Sequence, residues 1–489
     1  MGYEGQFPRL DAIADRQRTA PLIDALADRA ARRSGRFHVP GHKGRAIDPT
    51  LAAAWGDCWA WDLTELDGLD NWAAPQGAIA AAQTLAADCF GAAATRFLVN
   101  GATGGITAAI AAVCGDGDEL IVARNAHQSV LSGLILSGAR PVWVWPAVDQ
   151  AWQMPTAVAP AAIAQSLDAH PRAKGVVIVS PTYHGWVSDL RAIAALTRSR
   201  RIPLIVDAAH GAHFGLHPEL PESPLAAGAD LVIASAHKTL GSLTQSALLH
   251  ISHGAVIDRS RLEQALRWVT SSSPSYLLMA SLDGARRRAA LAGFSDWAAT
   301  LDRVDRVRSA LGRDADLQVL AGNHLDRSRL TVHLPGWNGY DADETLDRDW
   351  GITAELSSPH HLTFIWTSAN SEAEGDRLVA ALQALARSPQ MQPPGQTWLG
   401  LAPPCTAPVT PREASQAPAE TVAIDQAIGR IAAEAVCPYP PGIPAIVPGE
   451  VVDQRAIAHL QQTLALGGDC TGCADPTLQT LRVLAVGDR

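Results

Sequence analysis

The sequence predicts a doubly wound α/β domain on a mixed, mainly parallel sheet, with smaller α+β lobes after it. Three observations carry this. Between residues 97 and 250, apolar runs at 96–99, 120–123, 175–179, 202–206 and 229–234 alternate with helical stretches. Runs this short and rich in Val and Ile read as strands buried between two helix layers. Each run also stops at polar residues, among them Asn100, Arg124, Ser180, Asp207 and Ser235. Open α/β sheets bind their ligands outside the carboxyl ends of the strands. Finally, 489 residues exceed what one core organises. The expected division is an N-terminal helical segment (1–35), a large domain (36–295), a small α+β domain (296–390) and a C-terminal domain (391–489).

Composition narrows the class. An apolar fraction of 47% with 18% charged residues describes a folded globular protein. The formal net charge of -10 argues against nucleic acid as a main partner. The first ten residues show no basic stretch ahead of an apolar core, and no apolar run approaches the ~18–20 residues of a membrane span. Seven cysteines at scattered spacings fit reduced thiols in the cytoplasm. Cys470 and Cys473 form a CxxC with no second pair to complete a zinc tetrahedron, so no metal is expected and a packing role is preferred to a redox one.

Taken in order, residues 10–33 carry Ile13, Leu22, Ile23 and Leu26 at helical spacing and predict an amphipathic helix pair. The segment FHVPGHKGR (37–45) is a loop, either a polar linker or an anion- or substrate-facing segment. The four acids of 62–72 lack the ligand order of a calcium loop and read as a turn into a helix at 78–90. The strand at 96–99 runs into Asn100-Gly101-Ala102-Thr103-Gly104-Gly105 and then a helix. Strand, glycine turn and helix aim backbone N–H groups and a positive helix end at a phosphate, and Thr103 adds a hydroxyl. His127, after the next strand, can stack on a flat ligand or cap a helix. Beyond the sheet, 277–291 reads as helix, and 330–334 and 362–366 as strands. Residues 386–420 read as a loop between lobes, and 421–436 as a final helix.

Lys238 follows the strand 229–234, and Asp207 ends the strand 202–206. A lysine and an acid at neighbouring strand ends are what pyridoxal phosphate chemistry requires. The lysine forms a Schiff base, and the acid keeps the pyridine nitrogen protonated so the ring accepts electrons. Taken alone, each is more often simply a surface lysine after a core strand or an ordinary cap.

Together the segments FHVPGHKGR, LTELDGLDNW, FLVNGATGG, RNAHQSV, SPTYHGW, VDAAHGAHFG, SAHKTLGSLTQ, SSPSYLLMASLD and YPPGIPAIVPGE resemble the Orn/Lys/Arg decarboxylase family of fold-type I, aspartate aminotransferase-like pyridoxal phosphate enzymes. The resemblance implies that Lys238 carries the cofactor, that Asp207 pairs with its pyridine nitrogen, and that His127 and Ala209 pack on its two faces. It implies a phosphate site of Thr103, Gly104, Ser235 and His237, with His237 also a proton donor. Glu355 and Glu450 fall where an acceptor for a distal substrate cation is expected, although each can instead cap its own loop.

The implied reaction is decarboxylation of arginine, lysine or ornithine, in polyamine or diamine metabolism. The implied enzyme is cytoplasmic, lacks the N-terminal wing domain of long family members, and is a homodimer or pair of dimers with its sites at the subunit boundary. Three departures, Ala102, Ile106 and Ala208, bear on substrate choice. The rival readings are another fold-type I reaction, such as transamination or elimination, and a non-catalytic pyridoxal-phosphate-binding regulator. Intact Lys238, Asp207, His127 and His237 speak against the latter.

Overall fold

The computed structural model of the chain describes residues 15–32, 34–388, 406–439 and 442–485. The first ten residues, the start of the expected helix pair, about half of the expected 386–420 loop (389–405), and Pro440 and Pro441 lie outside the described residues.

Helix α1 (Pro21–Ala31) precedes α2 (Ala78–Phe90). The acidic run between them is the expected turn into α2: the Asp70 carboxylate accepts from the N–H groups of Gln76, Gly77, Ile79 and Ala80 and so caps the helix start. The large domain then alternates β1 (Ala94–Leu98), α3 (Gly101–Val113), β2 (Glu119–Ala123), α4 (Gln128–Ser137), β3 (Arg140–Val144), β4 (Val176–Val179), α5 (Leu190–Ser199), β5 (Leu204–Asp207), β6 (Leu231–Ala234), α6 (Ala236–Thr239) and β7 (Ala247–Ile251). The strands form one sheet in the order β1-β7-β6-β5-β4-β2-β3. All neighbours are parallel except β7, which runs antiparallel to both β1 and β6. The expected mixed doubly wound sheet is therefore present. Apolar clusters cover both of its faces, so β4, β5 and β6 are buried at every residue.

Two expectations need correction. The helix expected at 277–291 is the 36-residue α7 (Tyr276–Leu311), which passes straight through the expected boundary at 295/296. It contains no proline, and its apolar residues contact three cores in turn: Tyr276, Met279 and Leu282 the large domain, Trp297 and Leu301 a satellite cluster, and Val304, Val307 and Leu311 the next lobe. Successive burial of one face sustains a helix well beyond the usual length. That next lobe holds a four-stranded antiparallel sheet in the order β8-β9-β11-β10, from β8 (Gln318–Val319), β9 (Arg329–His333), β10 (Leu356–Ser357) and β11 (Leu362–Ile365).

The helix expected at 421–436 is instead β12 (Ala419–Ala423) followed by the 3-10 turn Ile424–Ala427. Thr421 and Val422 are β-branched, and β12 pairs along its length with β15 (Thr480–Leu484); this long-range pairing overrides a local helical reading. Within the same lobe β13 (Cys437–Tyr439) pairs with β14 (Asp469–Thr471), and a further apolar cluster forms around Val436, Ile446, Leu460 and Val483.

Candidate active site

Strand order brings the predicted chemistry together. β5 and β6 are adjacent and parallel, with Asp207 registered against Ile233, so both strands end at the same edge. Asp207 is the last residue of β5, and Ser235 is the N-cap of α6, which carries His237 and Lys238. Across the same edge lie the first turn of α3 and the start of α4. A cavity of about 460 Å³ opens between them, lined by Ala102, Thr103, His127, Asp207, Ala209, Ser235, His237 and Lys238 among others. Gly104 and the two expected acceptors, Glu355 and Glu450, are not in its wall.

Burial sets the charge state of each group. Asp207 is 3% exposed, and loss of water raises its carboxyl to about 6, opposed by the Ala209 N–H, which donates to Oδ1 at 3.0 Å, and by Lys238. Burial lowers the Lys238 ammonium, with Asp207 and Glu355 opposing the shift and Arg329 adding to it. His127 caps a helix and also lines the cavity. Its Nδ1 accepts from Ser129 N–H at 3.1 Å, capping α4, while its ring lines the cavity. Burial, then Lys238, lowers it to about 4, so the ring is neutral at pH 7. His237 Nδ1 lies 2.9 Å from the Ser246 carbonyl; a carbonyl only accepts, so Nδ1 carries the hydrogen and Nε2 keeps a lone pair.

The residues fit a bound pyridoxal phosphate. A primary amine and a buried carboxyl that forms no ion pair among the described residues share one cavity with a neutral imidazole and the small side chain of Ala209. At one end stand a helix start, whose first N–H groups have no partner inside the helix, and the hydroxyls of Thr103 and Ser235. Gly105 lets α3 sit this close: a Cβ there would fall 2.5 Å from Leu98 Cδ1 and 3.0 Å from Ile233 Cγ2.

The two acids part company. Glu355 is exposed on the small lobe, but its field reaches Lys238, His237 and Arg329. Glu450 is 3% exposed and spends its charge elsewhere: Oε2 accepts from Arg124 Nη2 at 3.3 Å and from Val447 N–H at 3.2 Å. Arg124 also donates to the carbonyls of Pro444 and Ala445 and lies over the Trp143 ring. Glu450 thus caps its own loop and fastens the C-terminal lobe to the large domain. It lies outside the wall of this chain's cavity.

Sequence reading passed over three residues of the site. Tyr183 lines the cavity, with its ring centroid 5.2 Å from that of His210 in an edge-on arrangement. His210 Nε2 is 2.9 Å from Lys238 Nζ, and Arg329, fully buried, contacts His210 from the other side. His210 stood inside a quoted segment without a role. For Arg329, the only signal was its place next to a predicted strand.

Comparison with known proteins agrees in outline. The model of the Orn/Lys/Arg decarboxylase major domain matches residues 20–342, and that of the C-terminal domain of the same family matches 403–473. An arginine decarboxylase of Bacillus subtilis (strain 168) is 36% identical over 482 residues, covering 96% of this chain and 98% of that protein. The lysine decarboxylase LdcA of Pseudomonas aeruginosa is 26% identical over 292 residues, covering 54% of this chain and 39% of that protein. The lysine decarboxylase LdcF of Francisella novicida shares the fold with a TM-score of 0.81 at 19% identity, over 96% of this chain and 82% of that one.

Proposed function

Because the chain belongs to the Orn/Lys/Arg decarboxylase family and is a pyridoxal-phosphate-dependent amino acid decarboxylase, we propose that it converts arginine to its amine and CO₂ at the cavity around Lys238. Arginine is preferred to lysine or ornithine because the relatives matched over nearly the whole chain are named arginine decarboxylases, whereas the lysine decarboxylase LdcA matches over about half. The observation that carries the reading is the amine of Lys238 and the carboxyl of Asp207 in one cavity, on neighbouring strand ends.

When bound, pyridoxal phosphate supplies a ring that accepts the electron pair left behind as CO₂ departs. Lys238 holds the cofactor and, with its ammonium form disfavoured by burial, meets it as a nucleophilic amine. Asp207 keeps a proton on the cofactor nitrogen. His127, neutral and fixed by Ser129, covers one face of the cavity and Ala209 the other. The helix start at α3, with the hydroxyls of Thr103 and Ser235, would receive the phosphate. His237, held by Ser246 through Nδ1, offers Nε2 to carry and deliver a proton to the substrate carbon. Glu355, whose field reaches Lys238, would draw the distal cation of the substrate and so help to orient the substrate.

The further organisation is likewise proposed: a large domain, a small α+β domain meeting it within α7, and a C-terminal domain after residue 390. Exposed Phe37, Ile47, Trp55 and Trp268 support a homodimer or a pair of dimers. The described cysteines are all free thiols, which supports a cytoplasmic location; the proposed reaction would place the protein in polyamine or diamine metabolism.

The test is purified protein with pyridoxal phosphate, supplied separately with arginine, lysine and ornithine, reading CO₂ and the amine formed. Release from arginine is expected. Release from lysine or ornithine alone moves the substrate and keeps the site. Silence with all three, despite a visible cofactor band, overturns the reading.

A further inference from the structure

We propose that Arg329 is a positioning residue for Lys238, fixing His210 in the Nε2–H tautomer so that the lysine presents a neutral amine. This rests on the reading of Lys238 as the cofactor lysine.

Arg329 opens β9 in the small lobe, yet its side chain is fully buried against the large domain. Nη2 donates to the His210 carbonyl at 2.7 Å and faces His210 Nδ1 at 3.3 Å. A guanidinium only donates, so Nδ1 must accept, and the ring hydrogen sits on Nε2. Nε2 lies 2.9 Å from Lys238 Nζ. An N–H pointed at an ammonium finds no lone pair, whereas a neutral amine provides one. The chain of hydrogen bonds is therefore satisfied in one protonation state: guanidinium to Nδ1, Nε2–H to amine.

A packing role does not account for this arginine. Its Nε and Nη1 are buried with no hydrogen-bond partner among the described residues, a costly arrangement that an apolar side chain of similar volume would avoid. Its neighbour Asp326 is committed to His213 and Ser328. The groups facing Lys238 divide as the proposal requires. Asp207 and Glu355 favour its charged form, Arg329 disfavours it, and His127, His210 and His237 are held toward neutrality chiefly by burial.

The test reads the lysine without turnover. When pyridoxal phosphate is added to the apoprotein, the Lys238 amine adds to the aldehyde carbon and water leaves. The growth rate of the visible band therefore follows the fraction of neutral amine. Arg329→Met should raise the pH midpoint of that rate by about one unit, the size of a typical single-charge effect. Arg329→Lys, which keeps a charge and a donor, should fall between. A wild-type midpoint in Arg329→Met overturns the proposal.

A second measurement needs no change at Arg329. Histidine ¹⁵N spectra of the unmodified apoprotein, with the His210 signal assigned by its loss in His210→Gln, should show Nε2–H at pH 7.5. An Nδ1–H ring or an imidazolium overturns the proposal even where Arg329→Met fails to fold. Lys238→Ala separates the two levels. If its visible band persists, the reading of the cofactor lysine fails. If the band is lost while Arg329→Met titrates like wild type, only the positioning role fails.

Discussion

Asp207 holds a carboxyl at the end of a strand buried on both sides, and the work of keeping it ionised there falls on one backbone N–H and the nearby lysine. Asp207→Asn preserves shape and removes the charge that holds a proton on the cofactor. It should retain a visible band at higher cofactor concentration and lose roughly 10²–10⁴-fold in CO₂ release, the usual range for an acid–base group. Turnover within a few fold of wild type would sink its assigned role. Lys238→Ala should give no visible band at any cofactor concentration, read by absorbance. Both residues were legible in the sequence because each sits where a short Val- and Ile-rich run stops, a local signal. His210 and Arg329 were not. Their contact joins a strand end in one lobe to a strand start in another, and nothing nearby in sequence marks either as a partner.

Elements decide how closely these residues approach. α3 reaches the edges of β1 and β6 only because position 105 has no side chain. Gly105→Val adds atoms where a first carbon already falls 2.5 Å from Leu98 Cδ1. It should destabilise by about 1–3 kcal/mol through overpacking and weaken cofactor affinity by moving the start of α3, read by denaturant melts and by titration with pyridoxal phosphate. The glycine turn was visible in the sequence, but which of its glycines carries the packing was not, since that depends on side chains from two other strands. Glu450→Ala leaves Arg124 buried without its carboxylate. A loss of about 3–5 kcal/mol is expected for breaking such a pair, read as early unfolding of the C-terminal lobe by hydrogen exchange. The family resemblance put Glu450 where either a substrate acceptor or a loop cap was expected. Only the fold reveals that Arg124 had already claimed it.

At the scale of the whole molecule, several histidines are buried and held in the neutral form. Burial lowers His250 and His459 to about 4 and His361 to about 2, from an ordinary 6.5. The unfolded chain binds protons at these positions from pH 6.5 downward while the folded chain does not, so stability is present above 6.5 and is lost as pH falls below it. At pH 5, about 1.5 units below 6.5, each contributes a loss of roughly 2 kcal/mol. Urea midpoints should fall steadily between pH 7 and 5; a flat profile would show that these rings are charged when folded.

The sheet, its order of lobes and the strand-end site were readable because short apolar runs and polar stops are local. The extent of α7 was not, because what prolongs it is contact with three separate cores. That helix also sets a clock. Each residue turns an α-helix by about 100° and advances it by about 1.5 Å. One alanine inserted after residue 295 would therefore bring Arg329 round out of phase with His210, even with every site residue intact. Deletions and insertions within the rod are thus mutations of the active site, written at a distance from it.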